Sequence, residues 1–180
     1  SIMTQERVRV SCNAFGVINI ADRLLVLRSR SRTGKEGRSV YSPLGGGLKY
    51  SPDVKFWLTD DLGAEFEISE KRPLRMEIPI DKIEKFEEWY LKREGRETTP
   101  YREIREELCI EETGILFEDL LNIYTAGSPW LVVNRKPTTR EATGVKGKDT
   151  IYFFEFHPLT FDDNSKKVIS ERANEITPHR

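Results

Sequence analysis

The chain has 180 residues with a hydrophobic fraction of 37%, enough to bury one substantial core and too little for two comfortable ones. Charged residues make up 33% but balance to a formal net charge of −1 at pH 7. Such balance excludes a dominant electrostatic attraction to nucleic-acid backbone or to anionic membrane.

In chain order, residues 7–20 alternate apolar and polar side chains in part and predict a strand. Residues 23–29 predict a second, joined to the first through Ala21-Asp22 as a hairpin. The polar, glycine-bearing stretch from Ser31 to Arg38 reads as a mobile loop. A short strand, Ser39 to Tyr41, then runs into Ser42-Pro43-Leu44-Gly45-Gly46-Gly47. Residues 51–79 show less pattern, with a turn expected at Asp60-Asp61-Leu62-Gly63 and a strand from Leu74 to Ile78 stopped by Pro79. Next, Ile80, Ile83, Phe86, Trp89 and Tyr90 recur at helical spacing, with Asp81 as N-cap and Gly95 as the stop. A second helix follows, capped by Thr99, with Pro100 in its first turn and Gly114 closing it. Strand-like segments lie at 121–126, 130–134 and 150–157, with a polar loop from Arg135 to Asp149 between the last two. No closing helix is expected beyond them. This order of elements implies one α+β domain around a mixed sheet.

The second of these helices carries the chemistry. Residues three and four apart share a helix face, so Glu103, Glu106 and Glu107 project from one stripe. Ile104 and Leu108 form a neighbouring stripe that can be buried. Clustered like charges destabilise a helix unless something neutralises them. Arg102 or Arg105 can do part of this, and a divalent cation the rest. With two histidines and two cysteines in the whole chain, a metal must be held mainly by oxygen, which favours Mg²⁺ or Mn²⁺. Three carboxylates at this spacing suit ions that bridge phosphate oxygens and an attacking water. A solvated, salt-bridged helix face is the alternative.

The run Arg102-Glu103-Ile104-Arg105-Glu106-Glu107 resembles the inner part of the Nudix hydrolase box. That box reads Gly, five residues, Glu, seven residues, then Arg-Glu-U-x-Glu-Glu-x-Gly-U, with U apolar. Glu94 stands where the family has its upstream glutamate, and Ile110 fills the last apolar position, whereas Glu88 and Cys109 occupy the two glycine positions. Pro43 to Gly47 and Glu111 to Leu116 resemble the two ends of a box opened by an insertion at about residues 48–94. In that alignment Glu97 can replace Glu94 in supporting Arg102. The segments 74–76 and 86–89 are similar to a Nudix subgroup found beside bacterial nucleotide-second-messenger defence systems.

The resemblance implies a single Nudix-like domain over residues 1–180, an α/β/α sandwich with a mixed sheet. It also implies divalent-metal-dependent hydrolysis of a nucleoside diphosphate linked to another moiety. Glu103, Glu106 and Glu107 would then ligate Mg²⁺ or Mn²⁺, with Arg102 orienting them and one carboxylate serving as base. The alternative is a catalytically weak Nudix-fold sensor that binds a nucleotide signal in bacterial defence.

Other residues offer further chemistry. Gly45, Gly46 and Gly47 let backbone approach a phosphate closely, or make a tight turn after a strand. No Gly-Lys-Ser/Thr follows, so a P-loop is excluded. Glu171 and Glu175 are candidates for a later base, and Lys146 and Lys148 for a diphosphate contact. Trp130, Tyr41 and Phe15 offer rings for a base, or belong to core and rim. Cys109 reads as a small buried hydrophobe. Phe86, Trp89 and Tyr90 form a helix packing face that could equally serve a homodimer. Apolar runs such as 24–27 and 151–154 are too short to span a bilayer, and no basic-then-apolar leader is read. Two cysteines without pairing-like spacing suit a reducing compartment. A cytoplasmic protein with a nucleotide-type small-molecule partner, no membrane and no strong nucleic-acid binding is therefore expected.

Overall fold

The structure is a computed structural model, and it describes residues 6–33, 39–110, 116, 121–138 and 145–175. Glu111 to Ile115, which include the expected helix stop at Gly114, lie outside the described residues, as do positions 34–38 of the expected loop. Among the described residues nine strands and three α-helices follow in order: β1 (Arg7–Ile20), β2 (Arg23–Leu24), β3 (Val26–Thr33), β4 (Ser39–Gly47), β5 (Glu65–Phe66), β6 (Arg75–Pro79), α1 (Ile83–Leu91), α2 (Tyr101–Arg105), β7 (Ile123–Thr125), β8 (Trp130–Pro137), β9 (Asp149–Phe161) and α3 (Asp163–Glu175). This is the expected α+β class with a mixed sheet. Among the described residues no helix is long and apolar enough to cross a membrane.

The chain divides into two compact units, each discontinuous in sequence. One comprises Ser1–Asn13, Gly47–Thr99 and Leu131–Glu155, the other Ala14–Gly46, Pro100–Trp130 and Phe156–Arg180. In the first unit the start of β1 pairs antiparallel with β6, from Arg7 opposite Pro79 to Ser11 opposite Arg75, and β5 adds to β6. Val8 to Asn13 are buried at every position: Val8, Val10 and Cys12 fill one face, while Arg9, Ser11 and Asn13 are buried on the other, where Arg9 bonds Glu67 and Asn13 Nδ2 donates to Ser11 Oγ at 3.1 Å.

Helix α1 packs Phe86 and Tyr90 on Phe153, with ring centroids 5.5 and 4.8 Å away. Trp89 is only half-buried and leans on Trp57 at 5.6 Å. The expected cap at Asp81 is not observed as such. The chain leaves β6 through Pro79 directly into a 3₁₀ turn, Ile80–Lys82, and Lys82 occupies the N-cap of α1 without a side-chain bond. The expected stop at Gly95 comes late: α1 ends at Leu91 with Lys92 as C-cap, and Arg93, at φ 58°, takes the left-handed turn after it. Gly95 lies in the loop beyond, at φ +72°, where a Cβ would come within 2.6 Å of Val54 Cγ1.

Beneath α1 lies a charged cluster that composition does not reveal. Glu155 is 2% exposed and accepts hydrogen bonds from the Tyr90 hydroxyl and from Arg93 Nη1 at 2.8 Å. It also pairs with Arg96 at 3.0 Å. The Arg96 guanidinium sits 3.7 Å over the Tyr90 ring and donates to the Tyr90 carbonyl. Burial pushes the Tyr90 hydroxyl and the neighbouring Cys12 thiol far above their ordinary values, so both stay neutral. The network ties α1 and the following turn to β9.

In the second unit strands run β3–β4–β1, with β2 and β9 also on β1 and β7 on β9. The β1–β2 hairpin is present as expected, with Asn19 opposite Leu24 and Ile20 opposite Arg23. Ala21 and Asp22 take φ of 50° and 62°, the left-handed pair a two-residue turn requires. β4 differs from expectation: it runs through the glycines to Gly47, pairing Val26 with Pro43, Leu27 with Ser42 and Arg28 with Tyr41. Core packing joins Ile18, Leu44, Ile104, Leu108, Leu121 and Phe161, among others.

The closing helix that the sequence did not suggest is α3. Its stretch DNSKKVISERANE holds apolar bulk chiefly at Val168 and Ile169, too little for a visible stripe. Its start is fixed instead by Asp162, whose Oδ1 accepts the Ser165 N–H at 2.7 Å while Oδ2 accepts Asn122 Nδ2 at 2.7 Å. Ile169, 1% exposed, then closes the core.

Two outcomes follow for stability. Glu155→Ala leaves Arg96 buried without its carboxylate and is expected to cost about 3 kcal/mol in urea denaturation. Asp162→Ala is expected to cost about 1 kcal/mol by loss of the cap. The bonds from Ser165 and Asn122 lower the Asp162 pKa below its ordinary 3.8. Its contribution is therefore present above that value and is lost as pH falls through the lowered folded one. The wild-type advantage over Asp162→Ala should accordingly vanish in strong acid, as a pH series of denaturation midpoints would show.

Candidate metal and phosphate site

Helix α2 starts at Tyr101 with Pro100 at its N-cap and no side-chain cap, so Thr99 falls one residue short of the capping role expected of it. At Glu106 the helix widens into a π turn, Glu106–Ile110, a feature that often accompanies functional sites. Ile104 and Leu108 are 0% and 2% exposed, which anchors the helix in the core of the second unit and fixes what its acidic face meets. The approach to β1 is close: a Cβ on Gly16 would lie 3.0 Å from Ile104 Cδ1.

The acidic face meets β4. Gly45 N–H donates to Glu107 Oε1 at 2.6 Å. One residue on, the Glu103 carboxyl carbon lies where a Cβ on Gly46 would come within 2.9 Å of it. Two glutamates one helical turn apart thus address two consecutive residues of one strand. Arg102 Nη1 donates to Glu103 Oε1 at 3.1 Å and to Glu106 Oε1 at 3.3 Å. The side chains of Arg102, Glu103 and Glu106 are 28%, 29% and 37% exposed, so the group opens to solvent.

Gly45 is a backbone necessity. Its φ is +134°, and a Cβ would stand 2.2 Å from the Ala14 carbonyl oxygen and 2.7 Å from Phe15 Cα. Only glycine fits. Gly46 is a space necessity, since a side chain there would occupy the place of the Glu103 carboxylate. Gly47 does not join them: it belongs to the first unit and faces Arg75, with 3.4 Å from an ideal Cβ to Nη2.

Among the described residues no group of three His, Cys, Asp or Glu side chains is arranged around a common point as a metal requires. Glu107 is turned to the Gly45 amide and Glu106 to Arg102, with Glu103 between Arg102 and Gly46. The donor set nonetheless suits a hard divalent cation: it is all carboxylate oxygen, half-exposed, and rests on a glycine cradle that any Cβ would fill.

The remaining candidates separate clearly. Glu94 is exposed. Glu97 accepts the Lys49 N–H at 2.8 Å, a structural role within the first unit. Glu171 is exposed on α3, and the Glu175 side chain lies outside the described residues. Lys148 pairs with Glu77 at 3.2 Å, while Lys146 is exposed. Cys109 packs against the core cluster, as a small hydrophobe would. Tyr41 is exposed and stacks on no other ring among the described residues, whereas Phe15 and Trp130 both contact Phe156, at 6.0 and 5.4 Å. Phe156 was not singled out from sequence; the signal for it is its place on β9 between Glu155 and His157, both of which are buried.

Compared with known proteins, the chain matches the family model described as SMODS-associated NUDIX domain over residues 7–177. Neither curated proteins nor solved structures give a match.

The two glycines should respond differently to substitution. Gly45→Ala forces a non-glycine residue into a forbidden backbone region against β1 and is expected to cost about 2–3 kcal/mol of stability. Gly46→Ala displaces a half-exposed carboxylate and should cost about 1 kcal/mol or less. Denaturant titration of both variants checks the order, and a larger loss at Gly46 would contradict it.

Proposed function

This chain belongs to the SMODS-associated NUDIX domain family, and on that premise we propose that it is a divalent-metal-dependent hydrolase of a nucleoside diphosphate linked to another moiety. The observation that carries this reading is the seating of Glu103 and Glu107 on Gly46 and Gly45, with Arg102 spanning Glu103 and Glu106. Glu103, Glu106 and Glu107 would hold Mg²⁺ or Mn²⁺. When bound, such an ion neutralises phosphate charge and lowers the pKa of a coordinated water.

The chain's own residues do the rest. Arg102 offsets part of the repulsion among three carboxylates and keeps Glu103 and Glu106 extended toward solvent. Gly45 and Gly46 present backbone without Cβ atoms, so a phosphate can come close. Water oxygen bonds to one phosphorus, its proton passes to one of the carboxylates, and the bridging P–O bond breaks to release two phosphate monoesters. The proposed partner is a nucleotide-type small molecule, and the proposed setting is the cytoplasm of a bacterium in antiviral defence.

Purified protein is expected to release nucleoside monophosphate from a panel of dinucleotides and nucleotide sugars with Mg²⁺ or Mn²⁺, and to stop on chelation. Glu106→Gln and Glu107→Gln should lower Mn²⁺ affinity, read by electron paramagnetic resonance, about 10- to 100-fold, with turnover falling at least as far. An inert panel, together with Mn²⁺ affinity unchanged in Glu106→Gln, overturns the proposal.

A further inference from the structure

Strand β8 forms an edge that the fold leaves open. Among the described residues it pairs with β9 and with no other strand. Seven of its eight positions are exposed and Leu131 is half-buried, so neither face of the strand is covered. Val132 and Val133 are 43% and 45% exposed. Helix α1 covers β9 at Phe153 but does not bury β8. An edge with apolar side chains and backbone groups lacking a strand partner is a template for another strand.

Exposed edges are usually guarded by charge. Here both guards are turned onto β9. Arg135 Nε donates to Asp149 Oδ1 and Oδ2 at 3.1 Å, and Lys136 Nζ lies 5.5 Å from the centroid of the Tyr152 ring. Leu131, Val132, Val133 and Asn134 form an uncharged run beside them. The helix face considered above for a homodimer is spent elsewhere, since Phe86 and Tyr90 are buried against Phe153.

We propose that β8 pairs antiparallel with β8 of a second copy of this chain, about a two-fold axis at Val133. The charge pattern selects this arrangement. In a parallel match Arg135 would meet Arg135 and Lys136 would meet Lys136, and like charges directly opposite are destabilising. In the antiparallel register centred on Val133, Arg135 falls opposite Leu131 of the second copy and Lys136 opposite its Trp130. The two Arg135 residues then stand four positions apart along the strand, about 14 Å, beyond the ~8 Å Debye length at physiological salt. Alternation puts Leu131 and Val133 of both copies on one face, where four apolar side chains form a strip across the axis. Such a contact is the same patch on both partners and uses up both β8 edges, so it closes as a dimer. It is independent of the hydrolase reading and needs neither metal nor nucleotide.

Sedimentation equilibrium of the full chain, without metal or nucleotide, is expected to show monomer and dimer in exchange. The strand is about 27 Å long, a small contact, so a dissociation constant in the micromolar range is expected. Val133→Lys sets two like charges on the axis and should weaken the dimer about tenfold. Val133→Thr keeps a β-branched side chain there and should leave the constant nearly unchanged. Val133 is half-exposed, and circular dichroism checks that both variants fold. The register has its own test. Under mild oxidation Val133→Cys should cross-link into a dimer, because the residue on the axis meets its own copy. Val132→Cys should cross-link far more slowly, since the two Cα atoms lie about 8 Å apart in this register. The wild-type chain is the blank for Cys12 and Cys109. A chain still monomeric at about 0.5 mM, well above the micromolar range, overturns the proposal. So does a dimer that Val133→Lys leaves intact, which would place the contact elsewhere, and so does equal cross-linking of the two cysteine variants.

Discussion

A single bond between a carboxylate and a strand amide organises the candidate site. Glu107 accepts the Gly45 N–H at 2.6 Å, and a charged acceptor makes such a bond stronger than a neutral one. It sets which residues of β4 lie under the acidic face of α2, and therefore places Gly46 beneath Glu103. The bond is possible only because Gly45 adopts a backbone angle closed to other residues and lies tight against Ala14 and Phe15. Burial of Ile104 and Leu108 supplies the driving force that brings helix and strand together, at about 25 cal/mol per Å² of apolar surface removed from water. Repulsion among the three glutamates, a few tenths of a kcal/mol per pair, is offset in part by Arg102, which pairs with Glu103 and Glu106.

What was legible in the sequence follows from which signals are periodic. The 3.6-residue spacing of Ile104 and Leu108 against Glu103 and Glu107 identified both faces of α2, because burial and charge alternate there without exception. The β1–β2 hairpin was legible through two adjacent runs of strand-like residues. Helix α3 was not, since its docking depends on little beyond Ile169 and on an aspartate cap whose partner lies three residues on. Nor could the sequence distinguish glycines in a strand from glycines in a turn. Both readings explain a missing Cβ, and only the pairing of β3 with β4 separates them. Thr99 and Asp81 were natural caps by residue type, but the N-cap positions fall on Pro100 for α2 and on Lys82 for α1, neither with a side-chain bond.

The first unit is held by charge as well as by apolar burial, and pairings between Arg93, Arg96 and Glu155 span some sixty residues of chain. No local pattern announces them. Such a cluster adds little net stability over an apolar equivalent, yet removing one member exposes the desolvation cost of the others. Its members also constrain one another geometrically: the guanidinium of Arg96 lies on the ring of Tyr90 while bonding the carbonyl of the same residue. That double contact admits few alternative packings of α1 on β9, which is the sense in which the cluster specifies the unit.

β9 joins these observations through an inversion of the usual pattern. Along Glu155-Phe156-His157 the polar side chains are buried, at 2% and 5% exposure, and the aromatic one between them is half-exposed. An apolar-inside rule would place Phe156 in the core and Glu155 outside. The inversion holds because Glu155 finds cationic and hydroxyl partners in its own unit. Alternation then obliges Phe156 to face outward. An outward ring left alone would expose apolar surface at a cost; Phe15 on one side and Trp130 on the other cover it in part. The outward placing of Phe156 is thus a consequence of a buried carboxylate one residue away.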